Sequence, residues 1–506
     1  MATRIFYFGL HWKLNNQEHQ SREAKMIFRG LIIAAIMAVS SAAFGRETSD
    51  ITCTTKSHEA LELYNQAQEK LDNFLADEAG VLFVRATKAD PDFAMAYFGW
   101  ANTSTNLKDF EERLGMAVEK AGKASEPERL VIESAKAQNA GDIQKAEEYL
   151  VRAAELLPNG KRVRYVLGNF YFGLQDYDSA EREYRRVIGI DPNFAPVYNI
   201  LGYLLSNQNR YPEAIEILKR YAELRPNDNN PRDSMGEIYL YMGDYKNSIK
   251  EYSNSLGIDS SFVASWAGIG HNHVFMGDFA RGRAMYDQLK SRAHTVADSN
   301  TNLFWTAASY CHEKKYDMAV KILEQQLDFV RSRDDAALEA VIHGQIAEIY
   351  RETGEPEKAI AAAGMERKVA ARPEISKGPR DTFLRDAIFT EAVAFAHMGM
   401  TDSVNARLEE YRQSAAESAS PIVTGNLNSL EGIAAFYGKN YDTAVAKLAG
   451  ANKFDPISMY YIAMAYEASG NKADADKGFA ELASMNRNSL SYGLVRPWAM
   501  AKARKF

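Results

Sequence analysis

Residues 162–192 read RVRYVLGNFYFGLQDYDSAEREYRRVIGIDP, and their spacing decides the fold. Leu167, Phe170, Tyr171 and Leu174 recur at three- and four-residue steps, the period of an amphipathic helix. A turn follows over 173–178. Ala180, Tyr184 and Val187 then form the stripe of a second helix. Asp191-Pro192 closes it, because proline cannot continue a helix interior and disfavours helix at the residue before it. Small residues at Gly168 and Ala180 let the two helices approach, and Tyr171 and Tyr184 fill the space beside that contact.

Outward from this hairpin the pattern repeats. Gly168, Gly202, Gly236 and Gly270 are 34 residues apart, as are Tyr177, Tyr211, Tyr245 and Phe279, and Pro158, Pro192 and Pro226. A lone hairpin cannot bury its apolar stripe, so neighbours must stack and share a core. The chain therefore reads as all-α, a solenoid of helix-turn-helix hairpins.

The recurring set Leu167-Gly168…Tyr171…Ala180…Tyr184…Pro192 and Leu201-Gly202…Ala214…Leu218…Pro226 resembles the tetratricopeptide repeat family. Met235-Gly236…Tyr239…Tyr252 continues it with Ser248 in place of alanine, and Trp266…Ile269-Gly270…Tyr286 with Gly282 there. Looser copies run both ways, from Leu63…Ala67…Ala79…Phe83 to Gly432…Ala444…Leu448…Pro456, and Ser125-Glu126-Pro127-Glu128 has the form of a capping box. The expected total is about twelve units over 57–488. The resemblance implies a right-handed superhelix.

Breaks in the rhythm predict the domain organisation. Phe279 to Tyr316 spans 37 residues, an insertion near 292–300, and longer departures fall at 372–381 and 413–425. These suggest a first repeat block over 57–371, a second over 382–488, and a capping helix and tail over 489–506, with 372–381 as a hinge.

Residues 30–44, GLIIAAIMAVSSAAF, form an uncharged, mostly apolar run after Lys25 and Arg29. A bilayer span takes about 20 such residues, so this run fits a secretory signal better. The expectation is translation from Met26, cleavage after Gly45 or, second, after Ala42, and export to the periplasm or cell envelope. The alternative is a membrane anchor at 30–44, the one contact with a membrane that the sequence suggests.

Composition narrows the function classes. The chain has 506 residues, 60 Lys+Arg against 67 Asp+Glu, and a net charge of −7. Loss of 1–45 would leave 55 basic and 65 acidic residues, a net −10 that argues against a nucleic-acid partner. Two cysteines make no disulfide framework. No phosphate-binding loop, GxSxG or HExxH is present, so neither an enzyme nor a cofactor is expected. The nearest approach to a metal cluster is His271, His273, Cys311 and His312. His271 and His273 lie on different helix faces, and the ligand spacing has no signature.

The resemblance implies that a peptide or protein segment lies on the concave face, lined by the first helix of each unit. Carried onto this chain, the lining is Arg162, Tyr165, Asn169 and Phe172, then Asn199, Tyr203 and Asn207. Asp233, Glu237 and Tyr241 continue it, followed by His271, Phe275, Phe304 and His312. Asparagines can satisfy an extended backbone, and aromatics supply contact area at low entropic cost. Tyr165 where a clamp for a terminal carboxylate would have lysine, with acidic Asp233 and Glu237, argues against that subgroup. The alternatives are an envelope polysaccharide in the groove, or a grafted metal-dependent site near His271, Cys311 and His312.

Overall fold

The structure is a computed structural model that describes residues 50–503 apart from 74, 293–295, 417, 419 and 454. The signal or anchor expected at 1–45 lies outside the described residues. Among those described there is no strand, and no helix is long and apolar enough to cross a membrane.

The helices pair into hairpins. Units 1 to 4 are α1 (His58–Asp72) with α2 (Ala76–Ala89), α3 (Ala94–Asn102) with α4 (Leu107–Lys120), α5 (Glu126–Asn139) with α6 (Ile143–Leu156), and α7 (Lys161–Gly173) with α8 (Tyr177–Ile190). Units 5 to 8 are α9 (Ala195–Asn207) with α10 (Tyr211–Leu224), α11 (Asn230–Tyr241) with α12 (Tyr245–Ile258), α13 (Val263–Phe275) with α14 (Phe279–Arg292), and α15 (Val296–His312) with α16 (Tyr316–Arg331). Units 9 to 12 are α17 (Ala336–Glu352) with α18 (Pro356–Ala370), α19 (Lys377–His397) with α20 (Thr401–Ala416), α21 (Pro421–Tyr437) with α22 (Tyr441–Ala449), and α23 (Pro456–Ala468) with α24 (Lys472–Ser484). A last helix, α25 (Leu490–Ala503), has no hairpin partner of its own.

The repeat glycine is a packing requirement. A Cβ on Gly168 would stand 2.5 Å from Tyr184 Cε1, and one on Gly270 2.5 Å from Tyr286 Cε1. Gly202 meets Leu218 and Gly236 meets Tyr252 in the same way, both inside 3.0 Å. Each hairpin turn also needs one residue in the left-handed region. Gly141, Gln175, Asn209, Gly243 and Gly277 fill that place at positive φ, again 34 apart. Behind it, Asp142, Asp176 and Asp244 cap the second helix: Asp176 Oδ1 accepts from Ser179 N at 3.1 Å. The capping box at Ser125 forms, with Glu128 accepting from Ser125 N at 2.7 Å.

Three apolar clusters run through the solenoid. Units 4 to 6 share one around Tyr184, Leu201 and Leu218. Units 7 to 12 share another, which also takes in Leu490, Leu494 and Val495 of α25. In the third, residues 51–174 pack with Ala340, Val341, Ile375 and Phe383, so the superhelix returns upon itself and unit 10 meets unit 3. At that seam a Cβ on Gly378 would lie 2.5 Å from Asn139 O. Residues 372–381 lie at this seam and run directly into α19, with Ile375 buried. The break in spacing before Tyr316 coincides with a long helix: α15 has 17 residues where α13 has 13.

Candidate functional site

Taking the repeat glycine as origin, the lining residues fall into rows along the first helices. Three before it stand Tyr165, Asn199, Asp233 and Phe304; one after it, Asn169, Tyr203, Glu237 and His271; five after it, Asn207, Tyr241, Phe275 and His312. Arg162 and Phe172 flank the first unit. Of these fourteen, only Arg162, Asn207 and Glu237 keep partial exposure; the other eleven are buried.

The first two rows are bonded to neighbouring residues. Asn169 Oδ1 accepts from Tyr184 OH at 2.7 Å, and Asn199 Oδ1 accepts from Ser234 Oγ at 2.9 Å across to the next unit. Tyr203 OH donates to Glu237 Oε2 at 2.7 Å, and Ser265 Oγ donates to Asp233 Oδ1 at 2.6 Å. Tyr165 meets Phe194 edge-on at 5.3 Å, and Phe172 lies 5.7 Å from Tyr177. Arg162 is paired with Asp72 and sits 5.0 Å over Phe194. The segment before α1 closes this end: Thr54 N donates to Glu128 at 2.8 Å, and burial pushes the Asp50 carboxyl up to about 6 against the field of Arg162.

The five-after row is covered by the C-terminal segment. After α24 the chain crosses the inner face as Met485–Ser489 and enters α25. Arg487 reaches the first two members of the row. Its Nη1 donates to Asn207 Oδ1 and its Nη2 to Ser206 O, both at 2.9 Å, and its guanidinium lies 4.7 Å over the Tyr241 ring. Asn486 Oδ1 accepts from Tyr245 OH at 2.9 Å and from Arg496 Nη2 at 3.1 Å. Arg496 in turn sits 4.9 Å over Phe275. Gly493 lies against His312, where a Cβ would meet Ala308 O and Cys311 Cβ at 3.0 Å. Ser491 Oγ donates to Glu348 Oε1 at 2.6 Å, fixing α25 to α17.

The histidines are held neutral. Burial first, and then His312, lowers His271 to about 3; burial and then Arg496 lower His312 to about 3. His271 Nδ1 shares a hydrogen bond with Tyr286 OH at 2.7 Å and its ring meets Trp305 at 4.4 Å, beside Phe304. The His312 ring meets Phe275 at 5.1 Å. Among the described residues no three His, Cys, Asp or Glu side chains gather as a metal-binding set. His271, Cys311 and His312 are all buried, the two rings against Trp305 and Phe275.

The structure thus places eleven of the fourteen residues in packed interior and adds residues that sequence reasoning passed over, Asn486, Arg487 and Arg496. The polar run Asn486-Arg487-Asn488-Ser489 before the apolar Leu490 was the available signal. The tail, expected as a capping helix, buries Leu490, Leu494, Val495 and Ala499 wholly, and α25 packs on α15, α17 and α23 as well as on α24.

Family models described as tetratricopeptide repeat match residues 138–202, 174–235, 233–262 and 458–489. The human aspartyl/asparaginyl beta-hydroxylase is 26% identical over 194 residues, which are 38% of this chain and 22% of that protein. The peroxisomal targeting signal receptor of Candida albicans is 25% identical over 119 residues, 23% of this chain and 20% of the receptor. The chain therefore spans about a fifth of the length of these curated relatives. A tetratricopeptide repeat protein from Parabacteroides merdae of solved structure shares 15% identity, over 51% of this chain and 99% of that one, at a TM-score of 0.36. Over residues 138–262 and 458–489 the chain thus matches the tetratricopeptide repeat family, and its hairpins are of that helix-turn-helix kind.

Proposed function

We propose that this chain is a non-enzymatic scaffold of the cell envelope that holds a segment of a partner protein on the inner face of its superhelix. The observation that carries this reading is that the inner face already grips polypeptide. Asn207 and Tyr241, one unit apart, hold Arg487 of the non-helical segment 485–489, and Phe275 and His312 continue the row beneath α25, so the repeat presents one polypeptide contact per unit. A relative named as a targeting signal receptor fits the same class of work. The hydroxylase match covers 22% of that enzyme, and no hydroxylase activity is carried over from it. Export rests on the basic, apolar and small-residue order of 25–45.

The test is a photo-crosslinking amino acid placed at Asn207 in cells that express the full chain, with the same probe at exposed Lys219 as control. A crosslinked protein in the envelope fraction from Asn207 alone supports the reading. Equal products from both positions, or none from Asn207, would contradict it. Amino-terminal sequencing of the mature protein should begin after Gly45 or Ala42; a start at Met1 would overturn the export signal.

A further inference from the structure

The seat of Arg487 is more selective than a generic groove. Its two guanidinium nitrogens form a fork, one on a side-chain oxygen and one on a backbone carbonyl, both at 2.9 Å. The Asn207 amide lies 3.5 Å from Tyr177 OH through Nδ2, which turns Oδ1 toward the guanidinium. The ring of Tyr241 forms the floor, and Tyr211, Tyr492 and Tyr177 also stand close enough to act on the charge. Tyr241 OH is bonded to Glu237, placing a carboxylate behind that floor. One unit on, the Phe275 ring lies under Arg496, whose hydrogen bonds go to Met485 O and Asn486 Oδ1. A planar cation with two parallel donors and a face for stacking satisfies all of these at once, whereas an ammonium offers neither the fork nor the plane.

The C-terminal segment is anchored unevenly. Leu490, Leu494 and Val495 of α25 are wholly buried, so the helix belongs to the core. Arg487 is held by two hydrogen bonds and one stacked ring, and keeps partial exposure. Asn486, Asn488 and Ser489 on either side are buried, so it is the Arg487 side chain, not the segment, that is the exchangeable part.

We propose that the seat formed by Asn207, the Ser206 carbonyl and Tyr241 is an arginine-recognition subsite, filled in the free protein by the chain's own Arg487 and taken over by an arginine of an extended partner segment. This rests on the reading above that the inner face receives a partner. It adds the chemistry of that partner and makes the resident Arg487 its competitor. The net negative charge of the chain favours a basic ligand at long range.

The experiment uses the full chain and a labelled synthetic peptide with the sequence of residues 484–489, SMNRNS. Arg487→Ala vacates the seat, and a melting curve and far-ultraviolet dichroism confirm that the variant is folded. The Arg487→Ala chain should bind the peptide about tenfold or more tightly than the parent, whose seat is occupied. Adding Tyr241→Ala should cost about tenfold, and a peptide with lysine in place of arginine should lose a similar factor. Equal binding by the parent and Arg487→Ala chains, or equal binding of peptides with arginine and alanine, would overturn the subsite. A dimer in which the C-terminal segment of a second copy fills the vacated seat would overturn the partner in favour of self-association. The two readings fail separately: a partner crosslinked at Asn207 with no arginine preference removes the subsite alone. Peptide binding without any crosslinked partner removes the scaffold role and leaves the arginine seat standing.

Discussion

Units 4 to 6 and units 7 to 9 are built on the same hairpin, yet they close their inner faces by different means. In the first group the side chains bond across to the next unit: Asn199 with Ser234, Tyr203 with Glu237, Asp233 with Ser265. In the second the cover comes from far along the chain, as α25 lies on α15 and α17 with Gly493 against His312 and Ser491 on Glu348. Arg487 and Asn486 bridge the two regions, reaching back to Asn207, Tyr241 and Tyr245. A repeat thus sets where a side chain faces, while the partner that satisfies it is decided by what the superhelix curves around.

Breaking the cover should separate the two groups. Leu494→Ala removes a wholly buried side chain from the core of units 7 to 12 and is expected to cost about 2–5 kcal/mol. Hydrogen exchange should accelerate in α15, α17 and α25 and stay slow in α9 and α11; uniform acceleration would mean that the two regions unfold as one. Next in size is Gly268→Ala at the joint between units 6 and 7. Its Cβ would stand 2.2 Å from Tyr252 Cζ, and the strain should cost about 1–3 kcal/mol in denaturant melts. A gain in stability there would show that the glycine serves backbone flexibility alone. Arg487→Ala should cost about 1 kcal/mol, read as faster exchange over residues 485–489 with little change in α25.

The smallest expected effect is one of pH. His271 and His312 in the folded chain take up protons only near 3, whereas unfolded imidazoles do so near 6.5. Between those values the unfolded state binds more protons, so these two groups withdraw stability as the pH falls. Asp50 and Asp455, raised by burial to about 6, act in the opposite sense from about 6 down to their unfolded values. A chain carrying His271→Gln and His312→Gln should therefore lose less stability than the parent between pH 6.5 and 5. An unchanged slope would mean that the imidazoles are hydrated.

The repeat was legible because it is local. Gly168 must be small beside Tyr184, and Pro158, Pro192 and Pro226 follow the second helices of successive units, so their spacing alone reveals the period. The turns obey the same logic, with glycine or asparagine at 141, 209, 243 and 277 where φ is positive. Which residues share a row along the first helices was also legible, since register follows from helix geometry. Their availability was not. Nothing within 34 residues of Asn207 tells that Arg487 will bond to it, because that contact depends on the accumulated curvature of many units. The seam between Gly378 and Asn139 is of the same kind: a glycine in a stretch that reads as a hinge proves to be a close approach of two backbones.

The placement of the C-terminal segment on the inner face can be tested by trapping it. A Cβ at Gly493→Cys would lie 3.0 Å from that of Cys311, so the two must part by about half an ångström to reach the roughly 3.5–4.5 Å of a disulfide, and Cys53→Ser removes the other thiol. Under mild oxidation the folded monomer should form an intramolecular bond between positions 311 and 493, identified by mass spectrometry of the linked peptides. Two free thiols in folded monomer, or bonds only between molecules, would contradict it.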